Sequence, residues 1–317
     1  MQHTVDRIKS HALTLGFCTL GITKQHIPTN YRHYLDWVNR GYHQNMWYLA
    51  ETSRKQKRAS AKHLLPNVNA IVVVAMSYHQ KLPHPSNVKF ARYGWGLDYH
   101  DFVKDKLRQL QSYMHNELAL TFDAKIVVDT APILEKDFAQ QAGVGWMGKN
   151  TLIMNQKNGS YLYLGLLLTS LDLPEDKPTS AHCGTCTACL DACPTNAFEA
   201  PFLLNSAKCI SYHTIENKNE DIPAALQPHL DGWIAGCDIC QEVCPWNNKA
   251  HVTDSKETQA RQHTYLQPEQ IDKLAPSDHK KIFAQTAFSR IALPKLQQNV
   301  KAAMEKDASI KESQKKV

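Results

Sequence analysis

The chain has 317 residues, of which 43% are hydrophobic and 21% charged, with a formal net charge of +6. No apolar run approaches the roughly eighteen residues of a membrane span, and nothing resembling a secretory signal opens the chain. These features point to a soluble, cytoplasmic globular protein with no membrane association and room for two compact units.

In chain order, Val5, Ile8, Ala12 and Leu15 recur at helical spacing until Gly16, and residues 17–22 read as a short strand. Residues 31–40 predict a second helix with Gly41 as its stop. The continuous β-branched run Ala70–Ser77 predicts a strand buried on both faces. A long amphipathic helix follows from Asp98, with Val103, Leu107, Leu110, Met114 and Leu118 on one stripe. Residues 125–129 predict another buried strand, broken by Thr130-Ala131-Pro132, and residues 133–142 a helix stopped by Gly143. Residues 151–154 are expected to pair with 161–169 across a turn at Asn158-Gly159. The expected class is α+β, with an α/β domain over 1–175 and a polar, proline-punctuated linker at 172–178. A cysteine-organised domain over 176–250 and a short helical C-terminal region over 251–317 follow, the latter with a helical pattern at 281–292.

Cys183, Cys186, Cys189 and Cys193 form C-x2-C-x2-C-x3-C ahead of Pro194, and Cys237, Cys240 and Cys244 form C-x2-C-x3-C ahead of Pro245, with Cys209 between them. Two-residue gaps let one tight loop set three thiolates around a cube, while the fourth cysteine, followed by proline, turns toward a second cube. The ligands are therefore expected crosswise. Cys183, Cys186, Cys189 and Cys244 would hold one 4Fe-4S cluster and Cys193, Cys209, Cys237 and Cys240 the other, leaving Cys18 spare. A zinc site takes two separated pairs, not four cysteines in one short run. A chain of this length without a secretory signal needs no disulfide framework.

Two oxidised clusters with their thiolates would lower the net charge by about four units, so global charge argues weakly for an anionic partner. Local runs say more: Arg54, Lys55, Lys57, Arg58 and Lys62 sit together, and Lys301, Lys311, Lys315 and Lys316 follow in the tail. Such clusters can track a phosphate backbone or form a solvated face.

Gly143-Val-Gly145-Trp-Met-Gly148 satisfies G-x-G-x-x-G, but a helix precedes it and a strand follows, the reverse of a dinucleotide site. The glycines suit either a capped loop or close approach of backbone to a flat ligand, with Lys149 and Asn150 as polar contacts. The cysteine gaps run opposite to the C-x3-C-x2-C of radical adenosylmethionine enzymes, and the sixteen histidines show no metal-ligand spacing. Residue chemistry alone thus reaches a redox protein with a two-cluster module and an α/β domain that holds a substrate or organic cofactor.

Ala91-Arg92-Tyr93-Gly-Trp95-Gly-Leu-Asp98-Tyr99-His100, then Val128-Asp129-Thr130-Ala131-Pro132-Ile-Leu-Glu135, then Ala142-Gly-Val-Gly-Trp146-Met-Gly-Lys149-Asn150 and the two cysteine motifs resemble epoxyqueuosine reductases, in the same order over roughly residues 1–250. The resemblance implies a nitroreductase-like, cobalamin-binding N-terminal domain followed by a ferredoxin-like domain with two 4Fe-4S clusters. It implies reduction of the epoxide on a modified wobble base of tRNA to the alkene, with Asp129 as the acid and an external electron donor. It also places an arginine near Arg58 on the corrinoid. Tyr99, His100, Asp129, Lys149 and Asn150 are the further expected cofactor contacts. Asp98-x-His100 is similar to the start of D-x-H-x-x-G, but Val103 replaces the glycine, so a base-off corrinoid without histidine ligation is expected. Some members extend into C-terminal helical repeats; the chain ends at residue 317 and is expected to lack any tRNA contact they make, and to act as a monomer. A corrinoid-dependent reductive dehalogenase and a non-catalytic electron carrier are the alternatives. The first usually bears an export signal, and the second would not need so large an α/β domain.

Overall fold

A computed structural model describes residues 2–81, 84–218 and 221–304, so the basic tail residues Lys311, Lys315 and Lys316 lie outside the described residues. The first part runs α1 (Gln2–Thr14), β1 (Thr19–Lys24), α2 (Tyr31–Asn39), α3 (Trp47–Ala50), α4 (Thr52–Arg58), β2 (Ala70–Ser77) and β3 (Lys89–Phe90). It continues through α5 (Tyr99–Asn116), β4 (Ala124–Val127), α6 (Glu135–Gln141), β5 (Trp146–Met147), β6 (Ile153–Met154) and β7 (Leu162–Thr169). Four strands form an antiparallel sheet in the order β1-β2-β7-β4.

The apolar run of β2 is explained by its position at the centre of three layers. Val72, Val74 and Met76 face one core with Val5, Ile8, Val103 and Leu107 of α1 and α5, while Ile71, Val73 and Ala75 face a second core with Phe138 and Ala139 of α6. Each fully buried valine or isoleucine contributes roughly 1.5–3 kcal/mol, which fixes this strand inside. Both neighbours of β2 run antiparallel to it, although helices cover both faces of the sheet.

Three expectations are corrected. Strand β4 lies at the sheet edge and is only partly buried, since helices cover less of an edge. Strand β6 pairs with β5, Trp146 opposite Met154, and not with β7, whose eight residues instead align along the whole of β2. The Asn158-Gly159 turn closes only a bridge between Asn155 and Gly159.

The remainder contains α7 (Ala188–Asp191), β8 (Phe198–Ala200), β9 (Leu203–Leu204), β10 (Trp233–Ala235), α8 (Ile239–Glu242), α9 (Pro245–Asn248), α10 (Pro268–Asp272), α11 (Pro276–Ile282) and α12 (Leu293–Met304). The helix expected at 281–292 is instead the end of α11, a break and a 3-10 turn at Ala287–Arg290, with α12 beginning beyond it. Pro276 starts α11, and Gln285, at φ +58°, interrupts the chain before a short 3-10 turn and α12. Strand β3 pairs in parallel with β10, and Val88, Phe90 and Trp95 share a core with Trp233, Ile234, Phe283, Phe288 and Leu296. Residues 88–95 thereby tie the four-stranded sheet to the cysteine-rich and C-terminal segments. Among the described residues, no helix is long and apolar enough to cross a membrane.

Candidate functional site

The fold gathers the cysteines in two groups. Cys183, Cys186, Cys189 and Cys244 line one cavity of about 250 Å³. Burial pushes the Cys189 thiol up to about 11, and Cys244, Cys183 and Cys186 add to the shift. Burial likewise raises Cys209, Cys237 and Cys240, with Cys193 acting on Cys209 and Cys209 on both Cys237 and Cys240. Cys189, Cys209, Cys237, Cys240 and Cys244, all pushed up by burial with neighbouring cysteines adding to the shift, are poorly placed as free thiols and suit sulfurs held as thiolates by a polycationic centre. Among the described residues no three His, Cys, Asp or Glu side chains converge as one metal ion requires; the first group rings a cavity. Cys18 stands apart on the sheet, its Sγ 3.3 Å from the Ala75 carbonyl, and burial pushes it up to about 12.

The glycine loop after α6 serves these cysteines. Lys149 Nζ donates to the Gly184 and Cys186 carbonyls, both at 2.8 Å, and Asn150 Nδ2 to the Cys240 carbonyl at 3.3 Å. Trp146 Nε1 donates to Cys183 Sγ at 3.4 Å.

A second cavity, of about 340 Å³, is lined by Tyr48, Tyr93, Tyr99, His100 and Asp129, by Cys209 and Glu216, and by Arg290 from the C-terminal segment. Asp98 caps α5 by accepting the His100 backbone N–H at 3.0 Å, which sets Tyr99 and His100 in the first helical turn. The same carboxylate lies 2.6 Å from His100 Nδ1, while His100 Nε2 lies 3.1 Å from Asp129 Oδ2. Tyr99 stacks on Tyr163 with centroids 4.7 Å apart and on His100 at 4.1 Å.

Asp129 follows β4 with φ +60°, and Thr130 N–H donates to the Val128 carbonyl at 2.7 Å, the bond of a tight γ-turn. Asp129 N–H donates to Glu135 Oε1 at 2.6 Å, and Arg54 Nη2 to the Thr130 carbonyl at 3.2 Å.

In the protein by itself, electrostatics does not lift Asp129 above the carboxylate range. Burial favours the neutral acid, but the hydrogen bond and charge of His100, with Arg290 and Lys136, bring Asp129 below the ordinary value. Burial would lower His100, yet its bonds to Asp129 and Asp98 and their charges raise it to about 9. The proton of the pair sits on the imidazole, because an adjacent carboxylate favours the cation. Burial and the Asp129 charge push Glu135 up to about 8.

Tyr99, His100 and Asp129 are thus brought together, whereas Arg58, Lys149 and Asn150 are not among the residues lining that cavity. Lys149 and Asn150 serve the cysteine loops instead. Arg58 is buried in the last turn of α4, its guanidinium 5.5 Å from the Tyr34 ring centroid and its Nη1 on the Arg54 carbonyl. Arg54 is committed to the Asp129 turn and lies over the Tyr48 ring, so it is not a plain surface charge.

Sequence reasoning missed Tyr48, Glu135, Glu216 and Arg290. Arg290 donates to Glu216 at 2.7 Å and Tyr48 to the same carboxylate at 3.4 Å, contacts between distant segments that carry no local signal. Glu135 could have been found, since an acid in the first turn of the helix after Thr-Ala-Pro is placed to bond the preceding turn.

The sequence pattern of 4Fe-4S double cluster binding domains matches residues 182–247, and that of epoxyqueuosine reductase QueG, DUF1730, matches 58–130. The epoxyqueuosine reductase of Synechocystis sp. is 39% identical over 275 residues, covering 85% of this chain and 93% of its own. A crystal structure of an epoxyqueuosine reductase with a tRNA-Tyr epoxyqueuosine-modified stem loop superposes with a TM-score of 0.88 at 27% identity, covering 97% of this chain and 83% of that one. The Bacillus subtilis epoxyqueuosine reductase, solved with its catalytic aspartate loop swung out of the active site, gives 0.86 at 26% identity with the same coverage. A double-cluster cysteine domain beside an Asp98-His100-Asp129 chain, together with these likenesses, places the chain in the epoxyqueuosine reductase family.

Proposed function

We propose that the chain reduces the epoxide of epoxyqueuosine at the wobble position of tRNA to the alkene of queuosine, as a cytoplasmic monomer fed by an external electron donor. Family membership and the tRNA stem loop bound to a relative support the substrate. Residues 1–175 would form a nitroreductase-like domain for cobalamin and substrate, 176–250 the ferredoxin-like domain, and 251–317 a helical region that adds Arg290 to the cavity.

The residues present fit the cofactors. Eight cysteines in two groups suit two 4Fe-4S clusters in the crosswise arrangement, with Lys149 and Asn150 supporting the loops rather than a corrinoid. The aromatic faces of Tyr48, Tyr93 and Tyr99 suit a flat macrocycle, flanked by His100 and Asp129. When bound, the clusters and cobalamin supply the two electrons that, with two protons, convert the epoxide to an alkene and water.

The observation that carries this reading is the hydrogen-bonded chain Asp98-His100-Asp129 at a cavity that also reaches Cys209. Near neutral pH the His100-Asp129 pair holds one proton, and Asp129 is its more exposed member, with 52% of its side chain open against 18% for His100. Proton delivery to the epoxide oxygen lets the first C–O bond open to an alcohol and not an alkoxide, and a second proton, taken up by the pair from solvent, lets the oxygen depart as water when the second C–O bond breaks. Asp98 holds the imidazole in place and stabilises its charged form.

The test is Asp129→Asn, which keeps shape and removes the carboxylate that shares the His100 proton. Both clusters, cobalamin and tRNA binding should persist, while turnover of epoxyqueuosine-tRNA falls roughly a hundredfold or more, the scale of general acid catalysis. Turnover near that of the unaltered enzyme, with cofactors intact, would refute the assignment.

A further inference from the structure

The glycine loop at 143–148 has no place in the acid chemistry, yet it reaches directly to a cluster ligand. Trp146 is fully buried, and its Nε1 lies 3.4 Å from Cys183 Sγ. Its ring meets Trp246 edge-on with centroids 5.1 Å apart, and His182 at 4.9 Å, an aromatic wall on that side of Cys183. Gly145 allows this approach: a Cβ there would stand 2.3 Å from the Met154 carbonyl, opposite which Trp146 pairs.

We infer that Trp146 sets the reduction potential of the cluster held by Cys183, through its indole N–H on that sulfur. The inference rests on the two-cluster reading. Reduction adds one negative charge, spread partly over the sulfurs, so a donor on a ligand stabilises the reduced form more than the oxidised and raises the potential. Burial strengthens the bond, because little water screens it. Cys193, in the other group, takes a backbone donor, the Ala197 N–H at 3.3 Å, which no side-chain change at 146 removes.

The experiment is an EPR-monitored redox titration of reconstituted holoenzyme, Trp146→Phe against the unaltered protein. One cluster should move to a more negative potential by about tenfold in the electron-transfer equilibrium, ~59 mV for a one-electron couple, while the other stays and iron content holds. Trp246→Phe, which removes no donor to sulfur, should leave both in place. If Trp146→Phe fails to assemble, electron-nuclear double resonance on the unaltered reduced protein with 15N-indole label should show coupling to one tryptophan nitrogen. Unchanged potentials with full iron, equal movement of both clusters, or no 15N coupling would overturn the inference while leaving the two-cluster reading standing. A protein that binds no iron would overturn both.

Discussion

Replacing Glu135 should disable the acid without touching it. The Glu135 carboxyl, pushed up to about 8 by burial and the charge of Asp129, is largely neutral at pH 7, so its carbonyl oxygen is what accepts the Asp129 N–H at 2.6 Å. The contact is solvent-exposed, so water takes the vacated N–H and the loss is that of an ordinary hydrogen bond, ~0.5–1.5 kcal/mol; Asp129 already sits at φ +60°, a region that costs a non-glycine residue a further ~1–3 kcal/mol. Without the acceptor the γ-turn loses its main restraint. At tenfold per ~1.4 kcal/mol, Glu135→Ala should shift the loop away from its productive position by about 2- to 12-fold through the lost bond alone. Turnover should fall by that factor, with tRNA affinity and iron content unchanged, and amide hydrogen exchange across residues 128–132 should accelerate. Glu135→Gln offers the same carbonyl acceptor and should restore most of the rate. Normal turnover and exchange in Glu135→Ala would refute the reasoning; a Gln variant as impaired as Ala would show that an ionised carboxylate is needed.

Because His100 is raised to about 9, above the ordinary imidazole value of about 6.5, the rate should hold from neutral pH and fall as pH rises through about 9, and His100→Gln should abolish that limb. The sign is the same for stability: the contribution of protonated His100 is fully present below about 6.5 and lost as pH rises through about 9, measurable as a falling Tm. Cys18→Ser should leave iron content unchanged, whereas Cys209→Ser should damage one cluster selectively; equal iron loss in both would overturn the grouping of the thiols.

The parts of the fold that were legible had a long periodic signal. The run Ala70–Ser77 and the stripe from Val103 to Met114 each bury enough apolar surface to dictate their own place. Two-residue strands such as β5 and β6 carry no period, and the local Asn-Gly turn therefore suggested the wrong partner. At the site, Tyr99, His100 and Asp129 were legible because they sit inside motifs. Arg58 was expected beside a corrinoid from the resemblance alone; a charge run on one short helix looks continuous in sequence, yet one turn of α4 separates Arg54, bonded to the Thr130 carbonyl, from Arg58 against Tyr34. The proton state of Asp129 was not legible either, since it depends on an imidazole twenty-nine residues away in the chain.

Under the proposed function, helix α6 joins the proton and electron sides mechanically. At its start Glu135 holds the Asp129 turn, and two residues on, buried Asp137 accepts the backbone N–H of Thr29 and of Asn30 together with the Thr29 hydroxyl and the Asn30 amide. Those four bonds fix a helix of only seven residues, too short to be stable by itself, to the segment before α2. At its end Gly143, at φ +72°, turns the chain into the loop that brings Trp146 to Cys183 and Lys149 to the Cys186 carbonyl. Any displacement of α6 therefore moves the acid turn and the cluster cradle together. In the proposed reaction, two electrons without a proton would leave a charged oxygen on the substrate, so a single short rigid element would keep both deliveries in register.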